Sequence, residues 1–351
     1  MKEIDHNQVF SLLKQIVAIP SMSGEEELLS HFLQEWIESQ GIAVKRKHSN
    51  LWCESMIHPG YPTILLNSHM DTVKPVAGWT MDPYLPEETG DLLYGLGVSD
   101  AGGSVVAMIF TFLNMVHDES RKFNLILLIS AEEESSGEKG ITSVIGELGK
   151  IDLAIVGEPT GLDMAVCERG LIVFDCYAHG KAGHVAHRNG ENAILKAISD
   201  IERIGKLDLA RTSEFLGDIQ FEVTQIEGGY QHNVIPDTCK FVVDVRTNEN
   251  YTNEEVAEIL KNELDSEVKA RSLRLRSSFI DTNHPLVLKA RQLGIHTFGS
   301  KTMSDQALIP APSVKLGPGN TELSHKADEY IEKDQIIRAI DLYINLLKDF
   351  E

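Results

Sequence analysis

Apolar positions at helical spacing run through residues 7–19. Val9, Phe10, Leu13, Ile16 and Val17 share one face there, and Pro20 stops the predicted helix. The next segment, SGEEELLSHFLQEWIESQG, predicts a second helix, with Ser23 and Glu26 at capping-box spacing and Gly41 as the C-terminal stop. Three later runs are apolar without alternation: TILLNSHMD (63–71), FNLILLISAEEE (123–134) and IDLAIVGEPT (151–160). Unbroken apolar runs of this length predict strands of a sheet covered on both faces. A long helix beginning near Gly103 lies between the first two.

Each of these strands finishes in acid or histidine: His69 and Asp71, then Glu132 to Glu134, then Glu158. Ligands of open α/β sheets bind at the carboxyl ends of the strands. One polar strand end needs no explanation beyond reaching the surface; three of the same kind point to a site.

The middle of the chain has another rhythm. Strand 170–178, helix 190–204, strands 219–226 and 239–246, helix 252–264 (opened by a Thr252/Glu255 capping box) and strand 271–279 make the order β-α-β-β-α-β of a ferredoxin-like unit. Its strands partly alternate, as expected for a sheet with one open face. Helical patterning returns in LVLKARQLG, SDQALI and QIIRAIDLYINLLKDF. The predicted architecture is a split α/β domain, 1–167 and 281–351, with a small α+β domain, 168–280, inserted in it.

Composition narrows the function. The 351 residues carry a net charge of −21, which argues against nucleic acid or an anionic membrane as partner. It also makes any single carboxylate an ordinary surface group until its position says otherwise. The four cysteines form no Cys-x-x-Cys pair and predict reduced thiols in a cytoplasmic protein. The start, MKEIDHNQVF, is polar and acidic and predicts no signal peptide.

The candidate chemistry is the set His69, Asp71, Asp100, the Glu132–Glu134 run, Glu158 and His325. Histidines and carboxylates without sulfur suit zinc, cobalt or manganese. Two such ions would acidify a water molecule and polarise a substrate carbonyl, and a remaining glutamate would act as general base. His69 and Asp71, two apart on a strand, share a face, so Asp71 could accept the second ring N–H of His69. The glycines of DAGG let the backbone turn closely where the next helix begins. Each residue alone has a plainer reading. His69 with Asp71 could end a strand, Asp100 could cap a helix, and Glu158 could be a loop acid.

Five motifs carry a family resemblance: His-x-Asp at 69–71, Ser-Asp-Ala-Gly-Gly at 99–103, Glu-Glu at 133–134, Gly-Glu-Pro-Thr at 157–160 and His-x-x-Asp-Glu at 325–329. In this order, over nearly the whole chain, they resemble the M20 metallopeptidases and deacylases. That group includes acetylornithine deacetylase, succinyl-diaminopimelate desuccinylase, aminoacylase and glutamate carboxypeptidase. The resemblance implies a zinc-exopeptidase-like three-layer α/β catalytic domain with an inserted lid and dimerisation domain. It implies two divalent ions, with zinc favoured over cobalt or manganese. One would take His69, Asp100 and Glu158, and the other Asp100, Glu134 and His325, with Asp100 bridging. Glu133 would be the general base and Asp71 would orient His69. The run of three glutamates leaves a second register open, with Glu132 as base and Glu133 as ligand. The short DAGG departs from the commoner Asp-Met-Lys-Gly-Gly and is read as subgroup variation.

By the same resemblance, His184 in GKAGHVAHRNGENAI would reach the site of a neighbouring subunit and stabilise an oxyanion, which requires a homodimer. Asn233 and Arg246 would grip the substrate's α-carboxylate, a task that suits a guanidinium fork. The plainer readings are a loop cap for His184, a turn for Asn233 and a surface ion pair for Arg246. The activity implied is removal of an N-acetyl or N-succinyl group from an amino acid such as ornithine, citrulline or lysine, in arginine or lysine biosynthesis. The rivals are an exopeptidase or dipeptidase with the same site, and a non-catalytic amino-acid- or metal-binding protein on a degenerate hydrolase fold.

Overall fold

The first predicted helix is α1 (His6–Val17) in the computed structural model, which describes residues 4–348 and 350. Asp5 caps it by accepting the Asn7 amide, and Val9, Leu12, Leu13, Ile16 and Val17 turn inward. The second, α2 (Glu27–Ser39), forms without the expected capping box, since no side chain caps its N-terminus. The Ser23 hydroxyl donates instead to the Asp71 carboxylate, and Glu26 accepts the amides of Gly24 (2.6 Å) and Glu132 (3.1 Å). Both side chains serve the strand ends, because burial there leaves those groups with greater need of a partner than a helix end open to water.

Strands β1 (Lys45–Lys47), β2 (Asn50–Glu54) and β3 (Thr63–His69) follow. After the short β4 (Glu87–Thr89) and β5 (Leu92–Tyr94) comes α3 (Gly103–Met115). Then come β6 (Asn124–Ser130), β7 (Leu153–Val156) and β8 (Met164–Glu168). The second unit contributes β9 (Gly170–His179), β10 (Gly183–His184), α4 (Ala193–Ile204), β11 (Gln220–Gly228), β12 (Val234–Ile235), β13 (Thr238–Thr247), α5 (Asn253–Glu263) and β14 (Glu267–Ala270). The chain closes with β15 (Ser278–Phe279), α6 (Pro285–Gln292), β16 (Thr297–Ser300), β17 (Ser313–Lys315), β18 (Tyr330–Glu332) and α7 (Lys333–Leu347).

Two compact units result. Unit 1 holds 1–166, 279–298 and 304–351, and unit 2 holds 167–278 and 299–303. Unit 1 is built on a mixed sheet of order β1-β2-β6-β3-β7-β17-β8-β15, with β16 on β8. Strands β6, β3, β7 and β17 are parallel at its centre, with His69 opposite Ser130 and Asn67 opposite Val156. That register brings the three polar strand ends to one edge. One face is covered by short helical turns over 141–147, which pack Ile141, Val144 and Leu148 on Leu65, Ile126 and Leu128. On the other face α3 packs against β3, α1 and α7. Enclosure on every side explains why α3 is apolar all round.

Unit 2 is an antiparallel sheet of order β11-β13-β9-β14, with α4 and α5 packed on one face. Burial alternates along β9, and Ile172, Phe174, Cys176 and Ala178 meet Ala193, Ala197, Val256 and Leu260 in its core. The predicted strand 271–279 is corrected. The fourth strand is 267–270, and Ser278–Phe279 belongs to the large sheet of unit 1. The reason is the alternation Glu267-Val268-Lys269-Ala270, which buries Val268 in the unit 2 core. Within SDQALI only a short turn of 3-10 helix forms, at Asp305–Leu308.

Candidate metal centre

His69 ends β3 and is 1 % exposed. Its Nδ1 lies 2.9 Å from the main-chain carbonyl of Asp71 and 3.5 Å from that residue's Oδ1. A carbonyl only accepts, so Nδ1 carries the proton and Nε2 presents its lone pair. Nε2 faces Asp100 Oδ1 at 3.2 Å and Glu158 Oε1 at 3.8 Å. A lone pair opposed to carboxylate oxygens repels them unless a positive ion lies between. In the absence of any metal a proton plays that part. Burial alone would lower the His69 pKa, but the hydrogen bonds of Asp100 and Asp71 and the charges of Glu133 and Glu158 raise it well above the usual imidazole value.

Asp100 is carried by a tight loop. Gly97 opens it at φ +76°, where an added Cβ would lie 2.5 Å from Thr72 Cγ2. Gly102 donates its amide to the Gly97 carbonyl at 2.7 Å, and a Cβ there would sit 2.6 Å from the same oxygen. A Cβ on Gly103 would lie 2.4 Å from Ile331 Cδ1 and 3.0 Å from the Val98 carbonyl oxygen, so both glycines of DAGG stand where a side chain would clash. The Asp100–Ala101 peptide is cis. The second carboxylate oxygen of Asp100 accepts from the Ser324 hydroxyl.

The acidic run after β6 splits in two directions. Glu132 turns away, its Oε2 accepting the Lys139 amide at 3.0 Å. Glu133 and Glu134 turn inward, and both of their amides donate to the Asp71 carboxylate at 3.1 Å. Asp71 therefore touches His69 chiefly through its carbonyl, and its carboxylate fixes the next strand end. His325, at φ +60°, places Nε2 2.9 Å from Glu134 Oε2.

The donor atoms fall into two overlapping groups, each within 4.8 Å: His69, Asp100 and Glu134, and His69, Glu133 and Glu158. Burial pushes Glu158 up to about 8, and Glu133 well above the carboxylate range. Glu158 Oε1 is buried without a hydrogen-bond partner. An orphaned carboxylate oxygen beside a histidine lone pair, amid oxygen donors and no thiolate, is what a divalent cation would satisfy. The cysteines are buried thiols, and burial raises Cys53, Cys167 and Cys176 to about 12.

The family-model comparison matches residues 65–349 to peptidase family M20/M25/M40. The chain belongs to the M20 peptidase family. It is a metal-dependent hydrolase of that family, acting on small-molecule substrates. A peptidase M20 domain-containing protein of Schizosaccharomyces pombe is 30 % identical over 96 % of this chain and 83 % of its own. The succinyl-diaminopimelate desuccinylase of Orientia tsutsugamushi is 28 % identical over 98 % of this chain and 96 % of its own. The crystal structure of aminopeptidase PepT from Bacillus cereus superposes with a TM-score of 0.77 at 19 % identity, covering 98 % of each chain.

Sequence reasoning missed four groups around this centre. Ser23 and Glu26 carried a helix-cap signature, and their alternative use has no local signal. Asp305 sits in a segment that reads as helix; it is 4 % exposed, accepts from Ser130 Oγ, and is pushed up to about 6 by burial. Glu329 stood in a motif without a part of its own.

The unit 2 candidates do not converge. His184 pairs with Val234 between β10 and β12, and the Asn233 carbonyl accepts the Val185 amide at 3.1 Å. The His184 Nδ1 accepts the Ala186 amide at 3.2 Å, a loop-capping bond. Arg246 pairs with Leu171 at the far end of β9, where its Nε and Nη2 bind both carboxylate oxygens of Asp244 at 2.7 and 3.2 Å. Thr238, at the His184 end, is eight residues from Arg246 along β13, roughly 26 Å of extended strand. Asn233 and Arg246 of one chain therefore stand toward opposite ends of the unit 2 sheet.

Proposed function

We propose that the protein is a dinuclear-metal amide hydrolase that removes an acetyl or succinyl group from the amine of an amino acid. The observation that carries this reading is the convergence of donor atoms from His69, Asp100, Glu133, Glu134 and Glu158, with His325 Nε2 2.9 Å from Glu134. His69, Asp100 and Glu158 would hold one ion, and Asp100, Glu134 and His325 the other, zinc being the expected metal with cobalt or manganese as substitutes. When bound, such ions supply Lewis-acid polarisation of the amide carbonyl and a lowered pKa for attacking water.

The chain's own residues do the rest. Glu133 is the general base: its carboxylate takes a proton from water as the C–O bond forms. It gives that proton to the amine nitrogen as the C–N bond breaks. Burial raises its pKa well above the carboxylate range, the direction a general base requires. The outward turn of Glu132 supports Glu133 as base and Glu134 as ligand over the alternative register. Asp71 holds both glutamates by their amides and His69 by its ring N–H.

The acyl-amino-acid reading is supported by relatives named succinyl-diaminopimelate desuccinylase that align over nearly their whole length. A homodimer is supported by the unit 2 register: a small substrate needing both His184 and Arg246 needs two copies of that sheet. Unit 2 would then act as lid and dimerisation domain. The test is a panel of N-acetyl and N-succinyl amino acids and dipeptides, assayed with metal-reconstituted enzyme. Turnover of the acyl amino acids supports the proposal. Turnover of dipeptides alone selects an exopeptidase, and tight binding without turnover selects a non-catalytic binding protein.

A further inference from the structure

Of the His-x-x-Asp-Glu motif, only His325 stands among the candidate ligands. Asp328 works near the surface, accepting the Thr80 amide at 2.8 Å and its hydroxyl at 3.0 Å. Glu329 is 2 % exposed, and both of its oxygens are taken by one loop. Oε2 accepts the Gly97 amide at 2.9 Å, and Oε1 accepts those of Ser99 at 2.8 Å and Asp100 at 3.0 Å. The Glu329 carbonyl accepts a fourth amide, that of Gly95, at 3.0 Å. Three amides converging on one buried point are a poor arrangement for a backbone left to itself, because each N–H needs an acceptor. A carboxylate serves all three with charge-assisted bonds.

We propose that Glu329 is a positioning residue that fixes the backbone of the Asp100 loop, so that the Asp100 carboxylate already faces His69 before a cation arrives. Its importance for metal binding rests on the function proposed above; its hold on the loop does not. The assignment follows from acceptor count. A glutamine offers one oxygen, so its amino group must face either Gly97 or the Ser99–Asp100 pair, donor against donor. The loop would then relax, and Asp100 with it. Groups that orient ligands in this way typically change metal affinity by about 10- to 100-fold when removed.

The test compares wild type, Glu329→Gln, Glu329→Asp and Asp328→Asn by amide hydrogen exchange of the metal-free protein and by cobalt titration. In Glu329→Gln, exchange at 97–100 accelerates at least tenfold while the interior of α3 stays protected, and cobalt affinity falls by about 10- to 100-fold. Glu329→Asp, which keeps both oxygens, recovers part of each effect. Asp328→Asn leaves both at wild-type values. Unchanged exchange at 97–100 in Glu329→Gln overturns the proposal. Loss of protection throughout unit 1 also overturns it, since Glu329 would then be a general core group. If wild type binds no cobalt, the metal reading fails, and exchange at 97–100 still decides this inference.

Discussion

Carboxylates on the sheet of unit 2 and at the strand ends of unit 1 are treated in opposite ways. On the unit 2 sheet they are paired with cations of the chain itself. Asp175 on β9 meets Arg271 at 2.8 Å and Lys240 at 2.8 Å, Asp244 meets Arg246, and Glu267 meets Lys269 at 2.8 Å. The Arg271 and Lys240 partners hold Asp175 far below the usual carboxylate range. In unit 1, Asp100, Glu133, Glu134 and Glu158 crowd one histidine at the strand ends, and burial drives the three glutamates upward. Paired acids on a sheet surface are complete as they stand. Buried acids gathered without enough positive charge call for a cation from outside. The same residue type thus marks packing on the unit 2 sheet and chemistry at the unit 1 strand ends, and the difference is burial without a partner.

The largest expected effect sharpens the unit 1 side. Glu133→Gln should retain metal while kcat falls by about 10²- to 10⁴-fold, measured with the best acyl amino acid of the panel. If that variant stays active and Glu132→Gln dies, the base lies one residue earlier.

Chelation should come next. Stripping metal removes a ligand that binds the folded state alone, worth about 3–4 kcal/mol at concentrations of roughly 100 to 1,000 times Kd, and read as a fall in Tm. The metal-free protein should also have a characteristic pH dependence. Glu158 is raised to about 8 in the folded chain, above the unfolded value of 4.5. Between those values the folded state keeps protons the unfolded state has lost, so stability falls as pH rises from 4.5 toward 8. Tm of the chelated protein should be lower at pH 8 than at pH 5.5, and added metal should shrink the gap. A chelated protein more stable at pH 8 would break the contrast between the units.

Smaller effects test unit 2. If Arg246 binds substrate carboxylate, Arg246→Ala should raise KM by about tenfold or more, the worth of a charged hydrogen bond, with a lesser change in kcat. An unchanged KM would leave Arg246 as the surface partner of Asp244. Asp175→Asn should be the mildest, about 0.5 kcal/mol or less in urea unfolding, as for other surface ion pairs. Its sign with pH opposes that of unit 1. The depressed Asp175 stabilises above its unfolded value of 3.8, and the contribution is lost as pH falls toward its folded value.

What the sequence made legible follows the same division. The strand ends could be read because β3, β6 and β7 are unbroken apolar runs, and a parallel sheet must deliver their termini to one edge. The β-α-β-β-α-β unit could be read from alternation and caps; the Thr252/Glu255 box exists as expected. Ser23 and Glu26 misled because a capping box and a buried hydrogen-bond pair look identical over four residues. The choice between them depends on Asp71 and Glu132, 48 and 106 residues away. Strand 267–270 is hard to place from sequence because four residues give too short an alternation to stand out from the run after it. Glu329 and Asp305 were opaque for the reason the whole molecule shows: in a chain of net charge −21, only burial separates an acid that organises a site from one that is merely solvated.

Metal stoichiometry tests the central claim most directly. Calorimetric titration of the chelated protein with zinc or cobalt should show two ions per chain, and Glu158→Gln should weaken one of them by at least tenfold without unfolding the protein. A wild-type chain that takes up no ion, or a Glu158→Gln variant that binds two as tightly as wild type, would contradict the account.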